Sequence, residues 1–304
     1  MLYIFFKTLK ENLDPYKYNM LKKRILSASI LFFVFLSAFL FKSPIIFFTL
    51  VFFSSLILLN ELSRLLKLKS LSLVVYWVLS ISPIIFFYFI YIGINFLPNT
   101  NQDLFKIFLK DFTIGISFIG TIFWLILVPL DIFYKKISSN SKFKIFFGYF
   151  IFTPMILVSL FMFIEDKSFI LILFFMIWFA DIGAYVCGKA FGKNKLAKNI
   201  SPGKTIEGAI GGFLSNIIFV FILSQFYIVD IIMLLAFATL VTGLSIYGDI
   251  YQSFLKRRVN VKDSGSIIPG HGGLFDRLDS FCPTIPISYL VLINCNIILP
   301  KMII

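Results

Sequence analysis

Apolar residues in this 304-residue chain run in long unbroken blocks and do not alternate with polar ones. Blocks at about 25–41, 43–60, 71–94, 112–134, 144–164, 169–188, 206–226, 229–248 and 280–299 approach or exceed the length a helix needs to cross ~30 Å of hydrocarbon. The first two are near the short limit, and Lys42-Ser43-Pro44 between them suits a tight helical hairpin. The pattern predicts an all-α, polytopic integral membrane protein of about nine transmembrane helices. A composition of 59% hydrophobic and 14% charged residues, with a mean hydropathy of +0.96, excludes an ordinary soluble core.

Basic residues are retained on the cytoplasmic side of a membrane. With a cytoplasmic N-terminus, 23 of the 28 Lys and Arg residues fall in cytoplasmic segments. The other side receives Lys42, Lys106, Lys110, Lys167 and Lys301. The expected organisation is a cytoplasmic lead-in at 1–24 without a signal-peptide pattern, a transmembrane scaffold at 25–165, and a transmembrane catalytic region at 166–304. The net charge of +13 is dispersed over several loops, which argues against nucleic acid and for topology and anionic lipid headgroups as its cause. Three cysteines without metal-ligand spacing, together with one histidine, argue against a zinc site or a disulfide framework.

Polar chemistry is confined to the last part of the chain, since 13 of 17 glycines and 7 of 15 acidic residues lie between Asp181 and Asp279. Glu61 and Asp131, in the scaffold, are expected at cytoplasmic ends of spans with access to water. Asp181 and Asp249 sit at or just inside the ends of apolar helices, where an ionised carboxylate needs a partner. From Ser253 the chain reads SFLKRRVNVKDSGSIIPGHGGLFDRLD, a run of cations, glycines and aspartates. Cations neutralise phosphoryl oxygens, glycine-rich backbone presents free N–H groups, and carboxylates hold the metal that a nucleotide brings with it. Ser201-Pro202-Gly203-Lys204-Thr205 is not a P-loop, because Lys198 stands where the first glycine of that motif belongs.

The spacing of Ser253, Lys256-Arg257, Lys262-Asp263, Pro269, His271-Gly272-Gly273, Asp276-Arg277 and Asp279, with Ile200 to Gly208 upstream, resembles the signature of the phosphatidate cytidylyltransferases. The resemblance implies a reaction of CTP with phosphatidate that gives CDP-diacylglycerol and pyrophosphate. It implies Mg²⁺ held by Asp249 and Asp276, with Asp279 as a further cation ligand, and leaves room for a second, monovalent cation such as K⁺. Lys256, Arg257 and Lys262 would hold phosphates, His271 would contact phosphate or pyrophosphate, and Asp263 joins them as a catalytic position. Ser201, Lys204, Glu207, Ser253, Gly272, Gly273, Arg277 and Asp181 would face the substrates. A homodimer in the cell's inner (plasma) membrane, with the site facing the cytoplasm, is also implied. Arg258 lies outside the fixed spacing and reads as a headgroup or topology residue. Gln252 departs from the family's acidic residue before the signature serine, which removes one possible cation ligand. A CTP-dependent lipid kinase or an ether-lipid cytidylyltransferase, and a cation transporter, are the competing readings; a transporter's charges would lie near the bilayer midplane.

Overall fold

A peptide group in hydrocarbon has no water to bond, so apolar blocks satisfy their backbones internally as helices. The computed structural model describes residues 29, 33–34, 36–40, 44–94, 99–134, 141–228, 230–268, 272–295 and 301–302. The helices are α1 (Pro44–Leu65), α2 (Ser70–Ile94), α3 (Asn99–Ile122), α4 (Val128–Tyr134), α5 (Ser141–Glu165), α6 (Lys167–Phe191), α7 (Ile206–Leu223), α8 (Ile231–Arg258), α9 (Phe275–Leu278) and α10 (Phe281–Cys295). Two antiparallel ribbons accompany them, β1 (Lys195–Ala197) with β2 (Ser201–Thr205) and β3 (Tyr227–Ile228) with β4 (Lys301–Met302). Among the described residues, six apolar helical segments are long enough to cross a membrane, and one of them, Phe143–Phe191, comprises α5 and α6 meeting at Asp166. The expected blocks 25–41 and 280–299 lie partly outside the described residues.

Two helices outrun their apolar blocks. α3 begins at Asn99, ahead of the expected 112, because residues 99–111 are helical but too polar for a hydropathy window. α8 continues past 248 to Arg258, so the first residues of the polar signature are helical. Side chains cap the starts: Asp166 accepts from Ser168 N at 2.8 Å, Thr205 from Gly208 N at 3.1 Å and Asp230 from Met233 N at 3.1 Å.

The C-terminal half is organised by a tight α6–α7 hairpin closed by the β1–β2 ribbon. Gly208 and Gly212 abut the backbone carbonyls of Ala184 and Ala180, and Gly211 abuts Cys187, so a Cβ at any of the three would push the helices apart. α8 packs beside this pair and is clamped from the other side. Between α3 and α4 the helix widens to a π turn at Phe123–Leu127, and the Trp124 carbonyl accepts from the Tyr247 hydroxyl at 2.7 Å.

One turn further, Asp131 accepts from Tyr251 Oη at 3.3 Å and pairs with Arg258 Nη1 at 3.2 Å. Asp131 is 0% exposed, so the expectation that it reaches water is wrong; α8 covers it and supplies its cation. Arg258 is likewise a structural partner, paired with Asp131 and lying over the Phe254 ring, and not a headgroup residue. Removing one partner of a buried ion pair costs about 3 kcal/mol or more. Arg258→Met is therefore expected to lower the thermal midpoint in detergent by several degrees, and Asp131→Asn in the same background to recover part of the loss.

Candidate active site

The C-terminal halves of α6 and α8, strand β2 and the described residues 263 and 274–280 meet around one cavity. On α8 the i, i+3 and i+4 spacings place Ser245, Asp249, Gln252, Ser253 and Lys256 along one face. Ser245 Oγ donates to Asp181 Oδ1 of α6 at 2.9 Å, tying the two helices together, and both helices continue well past Asp181 and Asp249, which therefore stand inside them and not at the ends the apolar blocks suggested. Gly248 lets the backbone at Asp279 and the ring of Pro283 approach α8 closely.

The first of two clusters is acidic. Asp181, Asp249 and Asp279 are near enough to repel one another, and Lys204 Nζ from β2 pairs with Asp249 Oδ2 at 2.5 Å. Burial pushes the Asp279 carboxyl well above the usual carboxylate range, and Asp249 and Asp181 push it further. Three carboxyl groups against one described ammonium form a site that favours an added cation. Their hard oxygens fit Mg²⁺. Among the described residues no three Asp, Glu, His or Cys side chains converge tightly enough to enclose an ion alone.

The second cluster is centred on Asp276. Its Oδ1 accepts from Lys256 Nζ at 2.7 Å and Gln252 Nε2 at 2.9 Å, and its Oδ2 from Ser264 N at 2.9 Å and Gly273 N at 3.0 Å. Burial opposes ionisation of Asp276, but Lys256 and the two backbone donors outweigh it and hold the carboxyl below its usual range. Gly272, at φ +84°, turns the chain into this arrangement in a conformation that L side chains rarely adopt.

Behind the cluster stands Glu61 of α1, which sequence reasoning placed in contact with water. It is 1% exposed and accepts from Ser264 Oγ at 2.8 Å, Leu274 N at 2.9 Å and Phe275 N at 2.9 Å. The signature loop folds over the end of α1, which is why this carboxylate is covered. An acidic residue inside an apolar helix was the only signal available for it.

Both clusters open into one cavity of about 1160 Å³. Asp181, Lys204, Asp249, Gln252, Lys256, Asp263, Asp276, Arg277 and Asp279 line its polar end. Its other end is apolar, formed by Phe47, Leu50, Val51, Leu58, Met155, Ile156, Phe174, Phe175 and Trp178 from α1, α5 and α6. The cavity thus presents ions to one part of a ligand and hydrocarbon to another.

Several expected site residues stand elsewhere. Arg257 is exposed and donates to the carbonyls of Ile200 at 3.4 Å and Val261 at 3.2 Å, fastening α8 to the β1–β2 turn. Lys262 is exposed and is not part of the described cavity wall. Glu207 accepts from the backbone of Lys193 and Asn194, both at 3.1 Å, and so holds the entry to the ribbon. Ser201 is in strand β2, and Ser253 is buried with its Oγ 3.5 Å from Asp249 Oδ1. Gly272 and Gly273 shape the loop around Asp276. His271 lies outside the described residues.

Similar proteins carry a consistent name. A Staphylococcus aureus protein named phosphatidate cytidylyltransferase is 45% identical over 134 residues, 43% of this chain and 51% of the relative. One of the same name from Staphylococcus epidermidis is 44% identical over 134 residues, again 43% and 51% of the two chains. One from Haemophilus influenzae is 42% identical over 125 residues, 38% of this chain and 43% of the relative. The chain spans about half the length of the curated relatives it matches. A family model described as the cytidylyltransferase family matches residues 22–295, a stretch that contains both clusters and the cavity between them, and the chain therefore belongs to the cytidylyltransferase family.

Proposed function

We propose that this protein is a CTP:phosphatidate cytidylyltransferase that forms CDP-diacylglycerol and pyrophosphate. The observation that carries the reading is the single cavity with an ionic end and an apolar end. A soluble nucleotide needs only the first, and a lipid with a phosphate headgroup needs both. The names of the relatives support the same chemistry.

In this reading a phosphatidate phosphate oxygen attacks the α-phosphorus of CTP, the bond to the β-phosphate oxygen breaks, and pyrophosphate leaves. Lys256, held by Asp276, Arg277 at the cavity wall, and Lys204 once it turns from Asp249 to phosphate offset the charge that spreads over the transferring group. A phosphate monoester is already largely ionised near neutral pH, so no strong general base is required. Mg²⁺, when bound, supplies positive charge to the phosphates. Asp249 and Asp279 are the residues proposed to hold it, with Asp181 behind them. Asp276 takes part as a direct ligand only if Lys256 or Gln252 leaves its Oδ1. The Gln252 amide already donates to Asp276, which weakens the case for a monovalent cation there.

The same reading includes nine spans with the N-terminus inside, a site facing the cytoplasm where CTP is available, a plasma-membrane location and a homodimer. The distribution of Lys and Arg over the expected loops supports this orientation. Purified protein in mixed micelles with Mg²⁺ and CTP is expected to convert phosphatidate to CDP-diacylglycerol and to leave glycerol 3-phosphate unreacted. Equal use of the chainless phosphate would count against the apolar end as a substrate site.

A further inference from the structure

A carboxylate buried among helices is expensive unless its oxygens are saturated by donors. Glu61 meets that condition in an unusual way, because its three described donors come from a part of the chain more than two hundred residues away. They also come from both ends of one loop. Ser264 lies where the polar run leaves α8, and Leu274 and Phe275 lie where it returns. An added Cβ at Gly265 or Gly273 would strike the Glu61 carboxyl, so the backbone on each side is pressed against it.

The residues Glu61 gathers are the residues Asp276 uses. Ser264 gives its hydroxyl to Glu61 and its N–H to Asp276. Gly273 N–H reaches Asp276 while the next two amides reach Glu61. Asp276 in turn fixes Lys256 and Gln252 on α8. A line of contact therefore runs from α1 of the scaffold through the pinched ends of the loop to the ammonium at the cavity wall.

We infer that Glu61 is a positioning residue of the nucleotide side: by pinning both ends of the signature loop to α1, it sets Asp276 and hence Lys256 in the geometry that receives phosphate. The inference rests on the cytidylyltransferase reading for the identity of the phosphate. Glu61→Gln keeps the shape but replaces one oxygen with an NH₂ that faces backbone N–H groups, whichever way the amide turns. Glu61→Asp keeps the charge on a shorter stem.

The experiment uses the full chain in nanodiscs and two readouts. Amide hydrogen exchange over residues 262–279 is expected to speed up about tenfold or more in Glu61→Gln, a loss comparable to a hydrogen bond to a charged group. In Glu61→Asp the increase is smaller. CTP–Mg²⁺ affinity and KM for CTP are expected to weaken about tenfold in Glu61→Gln, while KM for phosphatidate stays within about twofold. Ser264→Ala is a milder change that leaves α1 untouched. It should weaken CTP binding a few-fold alone and add nothing in the Glu61→Gln background, because both act through one contact.

Additive losses, or equal changes in both KM values, would overturn the inference by making Glu61 a general packing residue. So would loop exchange at the wild-type rate. If Glu61→Gln does not fold, Glu61→Asp and Ser264→Ala decide the matter, and wild-type CTP affinity in both would overturn it. A wild-type protein that binds no CTP sinks the cytidylyltransferase reading, whereas the exchange data alone still decide whether Glu61 holds the loop.

Discussion

Asp249→Asn is expected to reduce turnover by about 10³-fold or more, the scale on which a metal-assisted phosphoryl site loses its charge stabilisation. The folded protein should persist. Asparagine fills the same volume, and its carbonyl oxygen can still accept from Lys204, which contacts Oδ2 of the aspartate, while the amide NH₂ takes the place of Oδ1 beside the Ser253 hydroxyl, whose oxygen can accept from it. The substitution also removes one of three carboxyl groups that repel one another, a repulsion that, with burial, raises Asp279. Thermal stability is therefore expected to stay level or rise while activity collapses. That opposition is a stronger test than activity alone, since a damaged fold lowers both. Measured turnover above about a tenth of wild type, or a clear drop in melting temperature, would contradict the assignment of Asp249 to a cation site.

Asp276→Ala is the second large effect, and its signature is different. The carboxylate is the described acceptor for Lys256 Nζ, Gln252 Nε2 and the amides of Ser264 and Gly273. Gln252 is 1% exposed, so its donor has no ready replacement in water. Leaving buried donors without acceptors costs roughly 1–3 kcal/mol for each group. Alanine is thus expected to lose about 3 kcal/mol or more of stability along with about 10²-fold or more in turnover. Asparagine keeps one acceptor oxygen and should fall between alanine and wild type in melting temperature. Alanine and asparagine with equal melting temperatures would show that Asp276 is not the hub that the hydrogen bonds describe.

Much of this site was legible before the fold. Asp181, Lys204, Asp249, Lys256, Asp276 and Asp279 were singled out through the family resemblance, and the structure places all of them on the wall of one cavity. Asp249, Lys256, Asp276 and Asp279 lie on α8 or in the polar run that follows it, so one local motif carried them, whereas Asp181 on α6 and Lys204 on β2 came through the resemblance. Arg257, Lys262, Glu207 and Ser201 share the same motifs but stand outside the described cavity wall, because a motif does not tell which side of a ribbon or helix end faces inward. Glu61 and Asp131 were misread for one physical reason. A hydropathy window treats a carboxylate in an apolar run as the place where the run meets water. In both cases the partner that covers it, the signature loop for Glu61 and Arg258 for Asp131, is more than one hundred residues distant. The π turn and the length of α3 were equally hidden, since neither depends on hydrophobic pattern alone.

The central claim is transfer of the cytidylyl group to a lipid phosphate, and it is tested most directly by following the two ends of the triphosphate. Purified protein in mixed micelles with phosphatidate and Mg²⁺ would be given CTP labelled separately at the α- and γ-phosphates. The account requires α label in the lipid fraction and γ label in released pyrophosphate. Label from the γ-phosphate in the lipid, or no label in lipid from either position, would contradict it.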